Sequence, residues 1–264
     1  PAPGGDLHSM TPTVDGRETH LAYLTGGYYI ADTSGVVDGA EDPTPSLITP
    51  PGGNADWEGP GAHSALRIPG RDVALVADEV YGEALKALGH GCPWGWVRFV
   101  DVSDPTALEV IGEYKLEQNE QRFCATDVPR PVSSYSAHNP TVTDELVFIS
   151  WHAGGLRVAS FEDPTAPTET GAFVPEPLPW VLQEDPALTA GQDKVAFWSF
   201  PIIQDGLVYV VDVRNGLYVL RYTGEGADEV DRIRFLEGNS NVGDAVRFPR
   251  AGADRATRPE AGRR

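Results

Sequence analysis

Three histidines stand at similar places in the chain, each shortly before a short apolar stretch: His8, His63 and His138. Imidazole nitrogens bind transition metals, so three rings at equivalent positions could form a metal site if the fold brought them together. The alternative is that each ring hydrogen-bonds the backbone of a neighbouring element. We favour this alternative, because a fourth repeat has Ser199, beside Trp198, at the matching position and the histidine-to-strand spacing drifts. The sequence therefore predicts rings that do not converge, and a protein without stoichiometric metal or other cofactor.

Aromatic residues near predicted strand ends extend this candidate set. His152, next to Trp151, is expected to line one mouth of a central channel, and with Trp198 and the three histidines it makes up the candidate ligand-binding residues. The chain has six tryptophans in all: Trp57, Trp94, Trp96, Trp151, Trp180 and Trp198. They could form a rim that binds a sugar or peptide. We favour the other interpretation, that most of them pack between repeats.

The elements that must position these residues are short strands. Residues 198–222 alternate apolar stretches with the turn dipeptides Asp205-Gly206 and Asn215-Gly216, and the second of these is typical of a β-hairpin. The pattern is a repeat, because three residues recur at a fixed offset of 61 positions: Pro140, Leu146 and Gly155 match Pro201, Leu207 and Gly216. A fixed offset of this kind indicates a repeat protein.

Four such repeats can be followed along the chain, at approximately 8–62, 63–136, 137–193 and 194–240. Each has about four short strands in roughly 40 residues, which is the spacing of a β-propeller blade. We therefore predict an all-β propeller of four-stranded antiparallel blades, about four being present, with the first strand of each blade innermost. A β-sandwich is the alternative, but sandwiches do not repeat a whole sheet in sequence. Helix is expected to be nearly absent outside 79–93, and the last outer strand is expected at 229–235.

The repeats resemble a known family, the LVIVD repeat proteins. The resemblance is carried by Gly-Leu-Arg-Val at 155–158, by Val-Arg-Phe-Val-Asp-Val-Ser-Asp-Pro-Thr-Ala-Leu-Glu-Val-Ile-Gly-Glu-Tyr at 97–114 and by Leu-Val-Tyr-Val-Val-Asp-Val at 207–213. It implies an exported β-propeller, often bacterial or archaeal, with no settled activity and normally with more than four blades. The chain is therefore expected to be part of a larger propeller, with further blades of the same polypeptide among its partners.

Charge and cysteine content restrict the partners and the compartment. The formal charge of −19 disfavours nucleic acid and anionic membranes, and no apolar run is long enough to insert into a bilayer. Residues 245–264 are rich in arginine and are expected to be a disordered basic tail. The two cysteines, Cys92 and Cys124, could be unrelated thiols, but we predict a disulfide, which would indicate an oxidising compartment. No signal peptide is recognised at the N-terminus.

Two classes of function follow. The favoured one is a non-enzymatic extracytoplasmic scaffold, secreted or at the cell surface, that binds a protein or small ligand at one propeller face. The alternative is a metal-dependent oxidoreductase or lyase that uses a channel-lining ring of histidines.

Overall fold

The computed structural model describes residues 5–80, 92–93, 95–125, 134–183, 194–238 and 246–247. Four antiparallel sheets follow one another along the chain and form the blades of a β-propeller, as the sequence predicts. None of the helices in these ranges is long and apolar enough to cross a membrane. The helix predicted within 79–93 falls mostly outside the described residues, as does most of the predicted tail.

Blades one to three are four-stranded meanders in which neighbouring strands in sequence are neighbours in the sheet. Their central strands are the most apolar, because these are covered on both faces. Blade one contains β1 (Ser9–Pro12), β2 (Glu18–Ala22), β3 (Tyr28–Asp32) and β4 (Ser46–Leu47). Blade two contains β5 (Ser64–Arg67), β6 (Val73–Ala77), β7 (Val97–Asp101) and β8 (Glu109–Tyr114). Blade three contains β9 (Pro140–Val142), β10 (Leu146–Trp151), β11 (Gly155–Ser160) and β12 (Thr168–Phe173).

Blade four departs from the predicted meander. Its strands are β13 (Ile202–Gln204), β14 (Leu207–Asp212), β15 (Gly216–Arg221), β16 (Phe235–Glu237) and β17 (Val246–Arg247). The sheet order is β15-β14-β13-β16-β17, so β16 pairs with β13 on the side opposite β14. The first strand is therefore not the edge strand in this blade. The outer strand predicted at 229–235 is wrong.

Four short helices lie outside 79–93 in the described residues, where the sequence predicts helix to be nearly absent. They are α1 (Ser34–Val37), a 3₁₀ helix (Glu117–Asn119), α2 (Gln121–Cys124) and α3 (Ala227–Arg232). In α3, Asp228 and Glu229 lie in the first turn and Arg232 in the last, where their charges suit the helix dipole. Val230 is its buried residue. This local preference for helix replaces the predicted strand.

Three hydrophobic clusters hold neighbouring blades together. Tyr28 and Ile30 of blade one pack with Val76 and Val100 of blade two. The second cluster joins blades two and three and includes Phe99, Phe161 and Trp151, and the third joins blades three and four around Phe148, Phe197 and Val210. Within the described part of the chain, no such cluster joins blade four to blade one.

Candidate metal centre

One residue in each blade occupies the same place, just before the first strand. Its backbone N–H donates to a carbonyl of the second strand, and this register identifies the equivalent residues: His8 to Ala22, His63 to Ala77, His138 to Ser150 and Trp198 to Val211. The fourth position therefore belongs to Trp198 and not, as the sequence alignment suggested, to Ser199.

The rings at these positions come together. Ring centroids lie 4.0 Å apart for His8 and His63, 4.9 Å for His63 and His138, and 4.3 Å for His138 and Trp198. The prediction that the three histidines do not converge is therefore wrong. That prediction relied on the number of residues between each histidine and the end of its strand. Pairing with the second strand fixes the position of the ring, whereas the length of the first strand varies beyond this pairing.

A second set of equivalent positions supplies two more candidate ligands. Two residues after Ala77 in blade two lies Glu79, and two residues after its counterpart Ser150 in blade three lies His152. The ring of His152 stacks on Trp198, with centroids 4.9 Å apart and planes 4° from parallel. Glu79 is not among the predicted site residues because it falls in 79–93, where helix was expected. Its alignment with His152 shows that the two positions are equivalent, but not that the side chain of Glu79 turns inward.

The carboxylate of Glu79 lies at the centre of the histidines. Its Oε2 atom is 2.9 Å from Nε2 of His63, and its Oε1 atom is 3.1 Å from Nε2 of His138 and 3.2 Å from Nε2 of His152. All four of these residues are buried, whereas His8 is exposed. Ligand atoms of Glu79, His138 and His152 lie within 4.8 Å of one another, and so do those of His8, His63 and Glu79.

The other ring nitrogen of three histidines is held by a neighbouring group. Nδ1 of His138 is 2.7 Å from the carbonyl oxygen of Trp198, and Nδ1 of His8 is 3.1 Å from that of His63. A carbonyl only accepts hydrogen bonds, so each Nδ1 carries the proton and donates it. The amide nitrogen of Asn139, 2.9 Å from Nδ1 of His138, donates to the same Trp198 carbonyl at 2.8 Å. Nδ1 of His152 lies 3.1 Å from the hydroxyl oxygen of Ser134, whose own proton goes to the backbone carbonyl of residue 80. This arrangement directs Nε2 of His138 and of His152 toward Glu79, and it is typical of metal-ligating histidines.

Burial and mutual contacts set the charge of the cluster. Burial lowers the pKa of His138 to about 3, and partial burial together with His63 lowers the pKa of His8. Burial alone would raise the pKa of Glu79, but the nearby imidazoles of His152 and His63 outweigh it and hold that pKa below its usual range. An ionised carboxylate thus faces neutral imidazole. Oε1 of Glu79 accepts no well-aligned hydrogen bond from the described residues. Its lone pair therefore faces the lone pair on Nε2 of His138 at 3.1 Å.

The residue before Glu79 fixes its place. Asp78 is fully buried, and its carboxylate accepts hydrogen bonds from Arg98 Nη1 at 2.7 Å and Trp57 Nε1 at 2.9 Å. The guanidinium of Arg98 lies between two indoles, 4.2 Å from the ring of Trp57 and 4.6 Å from that of Trp96. Burial raises the pKa of Asp78 to about 6 despite the positive charge of Arg98. This packed ion pair anchors the backbone from which Glu79 projects.

The remaining candidate residues lie outside the cluster. Trp151 is completely buried and its ring meets that of Tyr114 edge to face, so it packs between blades two and three and does not line a channel mouth. Trp180 is largely exposed, and Trp94 lies outside the described residues. The predicted disulfide is present: Cys92 and Cys124 are joined, with their Cα atoms 5.6 Å apart.

Among known proteins, similarity is found to solved structures. No protein-family model matches the chain, and no curated protein is significantly similar to it. Among solved structures it is similar to the periplasmic gluconolactonase PpgL of Pseudomonas aeruginosa, at 12% identity over 90% of this chain and 55% of that one, with a TM-score of 0.46. It is also similar to the Cps50 (Swd1) β-propeller domain of Myceliophteria thermophila, at 10% identity over 84% of this chain and 59% of that one, with a TM-score of 0.45. The chain thus spans less than two thirds of the length of either neighbour.

Proposed function

We propose that the protein binds a divalent transition-metal ion between Glu79, His138 and His152. The observation that carries this proposal is the contact between Oε1 of Glu79 and Nε2 of His138 at 3.1 Å. Because Nδ1 of His138 donates its proton to the carbonyl of Trp198, both atoms in this contact present electron pairs. A cation bound by both atoms converts this repulsion into two coordination bonds.

The ligand types favour a first-row transition metal over calcium or magnesium. Imidazole suits zinc, copper, iron and nickel, and two histidines with one carboxylate form a recurrent set for zinc and non-haem iron. Three protein ligands leave at least one coordination position for water or substrate, as in catalytic sites. We infer a metal-dependent enzyme, whose bound metal would polarise a substrate oxygen or activate a water molecule.

A binding scaffold is the second candidate, and a different observation supports it. Leu217 and Val219 are exposed on β15 of blade four, as is Val211 on β14. An exposed apolar strip of this kind favours association with another protein surface. This role is compatible with the metal site, and it agrees with the resemblance to LVIVD propellers. The disulfide supports an extracytoplasmic location, because such bonds persist in oxidising compartments.

Elemental analysis of protein purified without chelator tests the metal proposal. We expect at least about one zinc, copper, iron or manganese ion per chain, with loss of that ion in His138→Ala and in Glu79→Gln. His20→Gln is the matched control, because this histidine is equally buried but lies in β2 away from the cluster. Circular dichroism checks that each variant folds. Folded wild-type protein that takes up none of these metals, even after reconstitution, would exclude the proposal.

A further inference from the structure

The two oxygens of Glu79 face different histidines. Oε2 is 2.9 Å from His63, whereas Oε1 is 3.1 Å from His138 and 3.2 Å from His152. His8 lies beside His63, with ring centroids 4.0 Å apart, and one ligand atom from each of His8, His63 and Glu79 lies within 4.8 Å of the other two. The carboxylate therefore separates two pairs of imidazoles, one pair for each oxygen. Carboxylates that bridge two metal ions have this arrangement.

The Oε2 side also contains a buried ring nitrogen that has no hydrogen-bond partner among the described residues. His63 is buried, and its Nδ1 atom has no hydrogen-bond partner although it is shielded from solvent. Nε2 of His63 is directed at Oε2 of Glu79, so Nε2 is the nitrogen that a cation on this side would bind, and Nδ1 stays unpaired with or without that cation. The ring of His8 lies against this imidazole with centroids 4.0 Å apart, and its Nδ1 is fixed by the carbonyl of His63.

We infer that the cluster is a dinuclear centre, in which a second metal ion is bound by His8, His63 and Oε2 of Glu79. The inference rests on the proposed site at Glu79, His138 and His152, which would hold the first ion through Oε1. Ligand atoms of one tetrahedral zinc ion lie about 3.4 Å apart, so the side chains need only small rotations from a spacing within 4.8 Å. Carboxylate-bridged ions in two-metal enzymes lie about 3.5–4 Å apart.

Charge balance identifies the class of ligand. Two divalent ions with four neutral imidazoles and one carboxylate leave a net charge of about +3 at the centre. A bridging hydroxide and a small oxyanion would reduce this charge, so the centre is expected to bind a carboxylate or phosphate group across both metals. Trp198, half-buried and stacked on His152, offers a flat apolar wall beside that group. The acidic body of the protein disfavours a polyanion such as nucleic acid.

Titration of metal-free protein with Cu(II), followed by electron paramagnetic resonance, separates one ion from two. We expect wild-type protein to bind two equivalents and to show magnetic coupling between them. His8→Ala should bind one equivalent with an uncoupled spectrum, and because His8 is exposed this substitution leaves the buried core intact. His20→Gln should behave as wild type, and addition of inorganic phosphate should change only the coupled spectrum.

The outcomes distinguish this inference from the proposed function. One equivalent in the wild type, unaffected by His8→Ala but lost in His138→Ala, would overturn the dinuclear centre and leave the single metal site in place. No binding in folded wild type would overturn both. Two equivalents that persist in His8→Ala would place the second ion elsewhere, and would likewise overturn the assignment to His8 and His63.

Discussion

Glu79 lies among histidines that are each held by a different neighbouring group, and together these residues form a candidate set of metal ligands. Three Nε2 atoms lie within 3.2 Å of its carboxylate. A buried carboxylate is costly unless it is paired, and a His138 ring that donates through Nδ1 cannot pair Oε1, although Nε2 of His63 is within hydrogen-bonding distance of Oε2. The cost is offset if the protein binds a cation there. The packing of Asp78 with Arg98 and Trp57 holds this carboxylate at a fixed distance from the rings.

His20 shows what a buried histidine without such a carboxylate does, and it yields a pH prediction. Burial, with the charge of Arg67 adding to it, lowers the pKa of His20 from 6.5 to about 3, and its Nδ1 is 2.5 Å from the hydroxyl of Tyr28. Between these pH values the unfolded chain binds a proton that the folded chain does not, so stability falls as pH falls below about 6.5. At pH 5 the contribution is about 2 kcal/mol.

Urea denaturation at pH 7 and pH 5 measures this effect, with His20→Gln as the comparison. The wild type should lose about 2 kcal/mol more unfolding free energy between these pH values than the variant does. All other titrating groups are common to both proteins and cancel. Equal losses would mean that His20 titrates as an ordinary histidine and is not held neutral by burial.

At the level of elements, hairpins were predictable and exceptions to the repeat were not. β10, β11, β14 and β15 follow from β-branched runs between turn residues. Asp32 and Asp101 accept hydrogen bonds from Ser34 and Ser103 two residues on, as expected for side chains that cap turns. The pairing of β16 with the inner side of β13 depends on long-range contacts that no local pattern encodes. Glu79 belongs to the same class, because the repeat alone does not show that its side chain turns inward.

The disulfide joins Cys124, at the end of α2 in blade two, to Cys92, which follows Glu79 in the chain. A bond between residues 32 positions apart lowers the conformational entropy of the unfolded chain. It thereby raises the free energy of unfolding by about 3–4 kcal/mol. Cys92→Ser/Cys124→Ser should therefore lower the unfolding free energy by up to this amount. It should also weaken metal binding, because the bond fixes Cys92, which follows Glu79 by 13 positions in the chain.

Guanidinium denaturation and metal titration of the same double variant test both effects. Reduced wild-type protein is the matched control and should behave like the variant, since neither contains the bond. An unchanged denaturation midpoint would contradict the stabilising role. An unchanged metal affinity with a lowered midpoint would show that Asp78 and Arg98 alone suffice to position Glu79.

At the scale of the whole molecule, each blade buries one sheet face against its neighbour, and blade four has a second face on which apolar side chains are exposed among the described residues. In β14, Val208 and Val210 point into the cluster shared with blade three, while Val211 points the other way and is 37% exposed. In β15, Leu217 and Val219 are 62% and 48% exposed on that same outward side. The corresponding outer face of blade one carries a small buried cluster of its own around Tyr29.

The exposed apolar side chains of this face predict self-association. Apolar side chains on a sheet face are stabilised when another surface removes them from water, by roughly 25 cal/mol per Å² buried. We expect the average mass in sedimentation equilibrium to rise above the 28.4 kDa of one chain as concentration increases.

Leu217→Lys/Val219→Lys should weaken association at least about tenfold, because two charges would have to be desolvated at the interface. Val14→Lys, which alters an exposed apolar residue of blade one, should not weaken it. A wild type that stays monomeric at all concentrations, or a double variant that associates as strongly as the wild type, would show that this face does not mediate contact between copies of the chain.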